Sequence, residues 1–164
     1  MPIAEPPIPA FIKGSQYLEQ VYTVLASCPY NDMTEVVDFS KPQYAAMWSL
    51  SFTLQYSSTS LSEDQMLERW GLLLLYLESN GRHWSTTNEW FDSVNGIETD
   101  KCTWSGVTCN ADGEIAEIDL SGSGLTGTVP AELCCIPTLS WVDLSANTLT
   151  GDIPLCLAGR IATR

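Results

Sequence analysis

Two aspartates, Asp119 and Asp143, are the residues whose type and spacing most resemble a chemical site. They stand 24 residues apart, and each is followed by Leu-Ser. Neighbouring carboxylates can act as general acid and base or can bind calcium. Polar and apolar residues alternate around each aspartate, which predicts two short strands with their polar side chains on one face. That face would hold these binding candidates: Glu117, Asp119, Ser121, Trp141, Asp143 and Ser145.

The same features argue against catalysis and metal binding there. Carboxylates on adjacent strands would lie about 4.8 Å apart, but a catalytic pair also needs a pocket, which two strands do not form. Calcium takes about six to eight oxygen ligands, more than this face supplies. The single histidine, His83, leaves no Ser-His-Asp or Cys-His set, and no phosphate-binding G-x-x-x-x-G-K-[S/T] loop is present. We therefore predict no enzymatic activity, no cofactor and no metal.

Both aspartates belong to a longer pattern that recurs at the same offset. The first copy comprises Ile115, Ile118, Leu120, Ser123, Leu125, Gly127, Val129, Pro130 and Leu133. The second comprises Leu139, Val142, Leu144, Asn147, Leu149, Gly151, Ile153, Pro154 and Leu157. The pattern L-x-x-L-x-L-x-x-N-x-L-x-G-x-[IV]-P-x-x-L is that of a leucine-rich repeat, with one short strand per repeat and an asparagine that bonds to backbone groups. It predicts a surface rather than a cleft.

The repeat departs from its pattern at two places. Ser123 stands where the second copy has Asn147, so one turn should be held less firmly. A third copy does not develop, because Arg160 falls where Ile136 predicts an apolar residue. A repeat stack that ends without a polar capping repeat leaves apolar side chains and a strand edge uncovered. We therefore predict an open edge over residues 144–164.

Charge and hydropathy exclude several classes of partner. The 164 residues include 7 Lys and Arg against 20 Asp and Glu, a formal net charge of −13. Such a field repels nucleic acid and anionic membranes. No apolar run reaches the roughly 18 residues of a transmembrane helix, and we interpret the apolar residues 70–77 as a buried helix. Residues 1–9 do not resemble a secretory leader, so any targeting segment would be removed or lie outside this numbering.

The six cysteines predict disulfide bonds. Cys102 and Cys109 bracket C-T-W-S-G-V-T-C, and closing this loop should contribute about 2 to 3 kcal/mol. The repeat period places Cys156 above Glu132, within a few residues of Cys134 and Cys135, and we expect a bond to one of these two.

The remaining cysteine, Cys28, has no assigned partner. Disulfides indicate an oxidising compartment outside the cytosol. No asparagine is followed by x-[Ser/Thr], which favours a compartment outside the glycosylation pathway. Secretion and an organelle lumen both remain open.

The composition divides the chain into four segments: a Pro-rich extended arm at 1–14, a helical segment at 15–61, a cap at 62–112 and the repeats at 113–164. Within the second segment, apolar spacing predicts helices at 16–26 and 44–56, and a loop at 29–41. The clearest helix covers 62–79, because Ser62 and Gln65 form a capping-box pattern and Asn80-Gly81 provides a stop. Its predicted apolar face comprises Met66, Leu67, Trp70, Leu73, Leu74 and Leu77.

Four aromatic residues are predicted to form the core of the cap: Trp84, Trp90, Phe91 and Trp104. The run from Trp84 through C-T-W-S-G-V-T-C to the G-x-[IV]-P repeats resembles the plant-type leucine-rich repeat family with an N-terminal cysteine cap. The stretches K-P-Q-Y-A-A-M-W-S-L and E-R-W-G-L-L-L-L-Y-L-E-S-N-G-R-H-W look still closer to leucine-rich repeat proteins of diatoms and related algae. Pattern and resemblance together imply an α/β fold: a short solenoid of about two repeats, with a helical, disulfide-closed cap and an extended arm.

The resemblance implies binding rather than catalysis. We expect a non-enzymatic protein–protein interaction module that serves as an accessory or scaffold subunit, with its partner docked at the C-terminal edge and on residues 1–9. The alternative is an extracellular recognition protein that binds a peptide, a glycan or a foreign hydrolase through the strand face around Trp141. If the algal resemblance holds, the thylakoid lumen is a candidate location.

Overall fold

The computed structural model describes residues 9–56, 60–85, 90 and 100–161. The helices are α1 (Gln16–Ser27), α2 (Met33–Val36), α3 (Pro42–Tyr56) and α4 (Glu63–Glu78). The strands are β1 (Val107–Cys109), β2 (Ile115–Asp119), β3 (Thr126–Gly127), β4 (Trp141–Asp143) and β5 (Thr148–Leu149). Short 3₁₀ helices lie at Gly81–His83, Lys101–Thr103, Ala131–Cys135 and Leu155–Leu157. The protein is a mixed helix-and-strand structure with disulfide bonds.

Helices α1 and α3 occupy the regions where apolar spacing predicts them. The predicted loop at 29–41 is wrong in part, since it contains α2. Asp32 explains this helix, because its side chain accepts a hydrogen bond from Thr34 N at 2.9 Å and so caps the first turn.

The prediction of an extended arm over residues 1–14 does not hold for residues 10–14. Residues 1–8 lie outside the described part of the chain, but residues 10–14 form turns. Ile12 N donates to Pro9 O at 3.0 Å, and the Ile12 side chain is fully buried. Burying such a side chain contributes about 1.5 to 3 kcal/mol, which offsets the cost of ordering this segment.

Helix α4 carries the predicted capping box, in which Gln65 N donates to Ser62 Oγ and Ser62 N donates to Gln65 Oε1. Asn80 provides the left-handed stop, with φ of 61°. The predicted apolar face needs one correction, because Leu77 is 41% exposed. The core on that side of α4 extends only as far as Leu74.

Two apolar cores meet on α4. The first contains residues of α1, α3 and one side of α4, including Met66, Trp70 and Leu74. The second contains Leu72 and Leu75 together with the inner residues of the strands. A helix buried on both sides must satisfy every polar group that it carries, because an unpaired buried charge is costly.

The two repeats stack in parallel. Strand β2 pairs with β4 so that Glu117 lies opposite Trp141 and Asp119 opposite Asp143, which is the 24-residue offset found in the sequence. Strand β3 pairs with β5 at an offset of 22 residues, with Gly127 opposite Leu149. A shift of two residues leaves each side chain on the same face of a strand. Strand β1 pairs antiparallel with β2 and covers its other edge.

Asn147 joins the two repeats. Its Nδ2 lies 2.8 Å from Leu120 O in the first repeat and 2.9 Å from Leu144 O in its own. Its Oδ1 accepts from Leu125 N at 2.9 Å. Ser123, which occupies the equivalent position in the first repeat, places its hydroxyl 3.4 Å from Ser121 O. The Asn147 side chain thus spans the gap between the two repeats.

Tryptophans fill the cap, as predicted. Trp84, Trp90 and Trp104 are each at most 4% exposed. The ring centroids of Trp84 and Trp90 lie 4.9 Å apart, and those of Trp90 and Trp104 lie 5.3 Å apart. Trp84 Nε1 donates to Ser79 O, and Trp90 Nε1 donates to Ser105 O. Phe91 lies outside the described residues.

All six cysteines are paired in the structure: Cys102 with Cys109, Cys134 with Cys156, and Cys28 with Cys135. Of the two alternatives for Cys156, the structure contains the bond to Cys134. The Cys28–Cys135 bond closes a separation of 107 residues and ties the helical segment to the first repeat. In the chain-entropy model a loop of this length contributes about 4.7 kcal/mol.

A buried ion pair joins α4 to the cap and the sheet. Glu68 is 1% exposed, and its Oε1 accepts from Ile115 N, the first residue of β2, at 2.7 Å. Glu68 Oε2 lies 2.9 Å from Lys101 Nζ. Lys101 Nζ also donates to Gly113 O at 2.8 Å. One side chain of α4 therefore positions the 3₁₀ helix Lys101–Thr103 and the start of β2.

Replacing Lys101 by Met should lower the free energy of unfolding by about 3 to 5 kcal/mol, because the substitution leaves the Glu68 carboxylate buried without its countercharge. Denaturant unfolding with the disulfides intact measures this loss. The double variant Glu68→Met/Lys101→Met should recover part of it. Lys41→Met is the matched control, since Lys41 and Glu35 form an exposed pair and its loss should change little. Equal small effects of Lys101→Met and Lys41→Met would contradict this account.

Asn147→Ser should lower the free energy of unfolding by about 1 to 3 kcal/mol, because the partly buried carbonyls of Leu120 and Leu144 and the Leu125 N–H lose their partner. The same substitution at Asn110 is the control, since Asn110 is exposed and its bonds lie within one turn. Thermal or denaturant unfolding compares the two variants. Equal losses for both would show that Asn147 does not couple the repeats.

Candidate interaction surface

Asp119 and Asp143, the two aspartates of the strand face, accept hydrogen bonds from the turns that follow their strands. Asp119 Oδ1 accepts from Ser121 N at 3.1 Å and from Ser121 Oγ at 2.7 Å. Asp143 Oδ1 accepts from Ser145 N at 2.9 Å. Each carboxylate therefore closes the turn that follows its strand, as Asx side chains commonly do. This role explains the repeated Asp-Leu-Ser without any catalytic function.

The six candidate residues differ in accessibility. Glu117, Asp119, Ser121 and Ser145 are exposed, whereas Trp141 is partly buried. Asp143 is only 4% exposed. The face around Trp141 therefore offers exposed carboxylate and hydroxyl groups, but its one aromatic ring is not fully available for stacking on a ligand.

The C-terminal edge is less open than the sequence predicts. After the 3₁₀ helix Leu155–Leu157 the chain turns back, and Ile161 forms a parallel bridge with Val142 of β4. Val142 N donates to Arg160 O at 2.7 Å. A shortened third coil therefore follows the second repeat, and it reaches β4 through the single bridge at Ile161. Residues 162–164 lie outside the described part of the chain.

An apolar cavity of about 280 Å³ remains beside this short coil. Its apolar lining comprises Val129, Leu144, Leu149, Ile153 and Ile161. Ile153 is 54% exposed and the nearby Leu155 is 92% exposed. Large apolar side chains exposed at a strand edge are characteristic of a contact surface.

A second apolar surface, which the sequence reasoning missed, lies on α3. Its exposed stripe includes Trp48 and Phe52, which are 43% and 49% exposed and line a groove of about 440 Å³ together with Tyr17 of α1. The Tyr44 ring lies between those of Phe11 and Trp48, with centroid distances of 6.4 and 6.1 Å. The sequence of α3 could have indicated this surface, because apolar residues lie on every side of the helix. One core covers only one side of such a helix, so some of its apolar side chains remain exposed.

The described residues include no group of three or more His, Cys, Asp or Glu side chains placed to hold a metal ion. Within the same residues, no helix has the length and hydropathy needed to cross a bilayer.

Comparison with known proteins gives partial matches. No family model matches the chain. A probable leucine-rich repeat receptor-like protein kinase of Arabidopsis thaliana is 32% identical over 100 residues, which is 60% of this chain and 8% of that protein. The receptor-like serine/threonine-protein kinase RGI3 of the same plant is 42% identical over 65 residues, or 39% of this chain and 6% of that protein. The chain spans less than a tenth of the length of these relatives.

Among solved structures, the Arabidopsis receptor kinase HAESA, in complex with the peptide hormone IDA and a co-receptor, matches 54% of this chain and 14% of its own. The sequence identity is 28% and the TM-score is 0.43. The curated relatives are plant leucine-rich repeat receptor-like kinases, and this likeness supports the prediction that the chain carries plant-type leucine-rich repeats.

Proposed function

We propose that this protein is a non-enzymatic protein-interaction module that acts as an accessory or scaffold subunit of a larger assembly. In this proposal the two stacked repeats form a short solenoid, and a partner covers its C-terminal edge. The observation that carries the proposal is the apolar cavity lined by Ile153 and Ile161, together with the exposed Leu155 two residues further along the chain from Ile153.

The chemistry of the edge favours a protein partner. The cavity lining combines aliphatic side chains with Ser145, Thr150 and Asp152 at its margin. An apolar centre with a polar rim is the usual anatomy of a protein–protein contact. The sequence also predicts docking through residues 1–9, of which Pro9 alone is among the described residues.

A second candidate function is extracellular recognition of a peptide, a glycan or a foreign hydrolase by the strand face. The receptor names of the curated relatives favour it. The partial burial of Trp141 weighs against the glycan version, because carbohydrate binding should need an exposed aromatic ring at this face.

The proposed location is an oxidising compartment outside the cytosol, since three disulfides persist only under oxidising conditions. Secretion agrees with the receptor relatives. The algal resemblance and the thylakoid lumen remain predictions from the sequence.

Leu155→Glu should release the tagged protein from its native assembly, with affinity lowered at least about tenfold, because a charge would be placed in the apolar contact. Size-exclusion chromatography of the cell extract would show the protein eluting at the volume of the free chain.

Asp119→Asn tests the second candidate function, since this substitution alters the strand face and leaves the C-terminal edge intact.

Leu77→Glu is the matched control, because Leu77 is an exposed leucine on α4, away from the cavity. Release by Leu77→Glu but not by Leu155→Glu would contradict docking at the edge. Hydrogen exchange gives an independent measurement, since the amides of residues 144–161 should exchange more slowly in the assembly than in the free chain.

A further inference from the structure

Two glutamates share one amide donor where the helical segment meets the repeats. Gln43 Nε2, in the first turn of α3, lies 3.0 Å from Glu78 Oε1 and 3.2 Å from Glu132 Oε1. Glu78 ends α4, and Glu132 belongs to the 3₁₀ helix Ala131–Cys135. Gln43 and Glu132 are 4% and 6% exposed. Three elements therefore converge on one NH₂ group that is largely shielded from water.

The surroundings of this pair are negative. Thr128 Oγ1 donates to Glu78 Oε2 at 3.2 Å, which adds a neutral partner. Glu78 is the last residue of α4 and so lies at the negative end of the helix dipole. The last turn of α4 contains no basic residue that would offset this. Two further acidic groups face the pair: Glu35 of α2, and Asp32, the N-cap residue of that helix.

Lys41 does not neutralise the pair of glutamates. Lys41 Nζ lies 2.9 Å from Glu35 Oε1 and is committed to that carboxylate. Among the ion pairs of the described residues, none includes Glu78 or Glu132. The site contrasts with Glu68 on the same helix, whose carboxylate faces Lys101.

Backbone contacts at the same place join the helix to the repeat. Thr126 N donates to Ser79 O at 3.2 Å, and Thr128 N donates to Glu78 O at 3.3 Å, so β3 caps the end of α4. A side chain at Gly127 would bring its Cβ within 2.2 Å of Glu78 O. The repeat backbone is thus pressed against the residue that carries one of the two carboxylates.

We propose that Gln43, Glu78 and Glu132 form an acid-strengthened clamp, which holds the helical segment against the repeats most firmly when a carboxylate takes up a proton and less firmly when both are ionised. A protonated glutamate can donate a hydrogen bond as well as accept one. Protonation therefore removes the repulsion between the two carboxylates and supplies a donor where donors are scarce.

The direction of the pH dependence follows from burial. Desolvation raises the pKa of Glu78, with the Glu132 charge as the next cause, and desolvation also raises the pKa of Glu132. The folded state then binds more protons than the unfolded state at pH values between 4.5, the ordinary value of both groups, and the raised values. Stability is therefore greatest in mild acid and falls as the pH rises through this window.

Two surface aspartates set the lowest pH at which the stability gained by protonating the glutamates can be measured. Hydrogen bonds from Thr34 lower the pKa of Asp32, and hydrogen bonds from Ser40 lower that of Asp38. Their stabilisation is lost as the pH falls below 3.8, the ordinary value of both. The test is therefore confined to about pH 4.5 to 7.5, above the range in which the stabilisation from Asp32 and Asp38 is lost.

The test measures the folding equilibrium constant of the whole, disulfide-intact chain by denaturant unfolding across this range. In the wild type the constant should rise as the pH falls. Glu132→Gln and Glu78→Gln keep the side-chain length and remove one charge. Each variant should therefore show a smaller change of the folding equilibrium constant with pH. At pH 7 that constant should exceed the wild-type value by roughly tenfold for each unit by which the pKa of the replaced glutamate is raised. Glu117→Gln, at an exposed position of β2, should leave the profile of the wild type unchanged.

Hydrogen exchange of the Thr126 and Thr128 amides gives a second measurement, because both report on the junction itself. After correction for intrinsic rates, their protection should increase as the pH falls in the wild type but not in the double variant Glu78→Gln/Glu132→Gln. A wild-type stability that is flat or decreases from pH 7.5 to 4.5, or glutamine variants no more stable than the wild type at pH 7, would overturn the proposal.

Discussion

Helix α4 is the constraint on which the rest of the structure depends, because it is buried between two apolar cores. A helix in this position loses water along most of its length, so its polar groups must find partners in the elements around it. Glu68 meets this requirement through Lys101 and Ile115 N. In satisfying one carboxylate, the chain also places the cap and the first strand of the sheet.

The repeats are held to this helix and to each other by different means. Asn147 links successive coils through hydrogen bonds to Leu120 O and Leu125 N, and Cys134–Cys156 links their outer sides. Two repeats form one shared interface, where a longer array would form many. Disulfide bonds and the cap thus supply stability that further repeats would otherwise provide.

Features set by local sequence patterns were predicted correctly, whereas contacts between residues far apart in the chain were not predicted. The Ser62 capping box, the tryptophan core and the 24-residue register of β2 and β4 depend on local patterns, and all are present. The burial of Ile12 and the Cys28–Cys135 bond depend on residues far apart in the chain. The Gln43 contacts are of the same kind, since 89 residues separate it from Glu132. Periodicity carries no information about contacts between residues far apart in the chain. For this reason residues 10–14 were predicted to be extended.

Two buried or partly buried glutamates of α4 are stabilised in different ways. The difference indicates which contact of this helix depends on pH. Glu68 has a full countercharge, because the ammonium group of Lys101 lies 2.9 Å from its carboxylate. Glu78 is matched only by neutral donors and faces a second carboxylate. Replacing Gln43 with a basic residue would have given the second junction a countercharge as well. The neutral amide instead leaves the contact between helices and repeats sensitive to protons, next to the repeat whose far edge we propose as the docking surface.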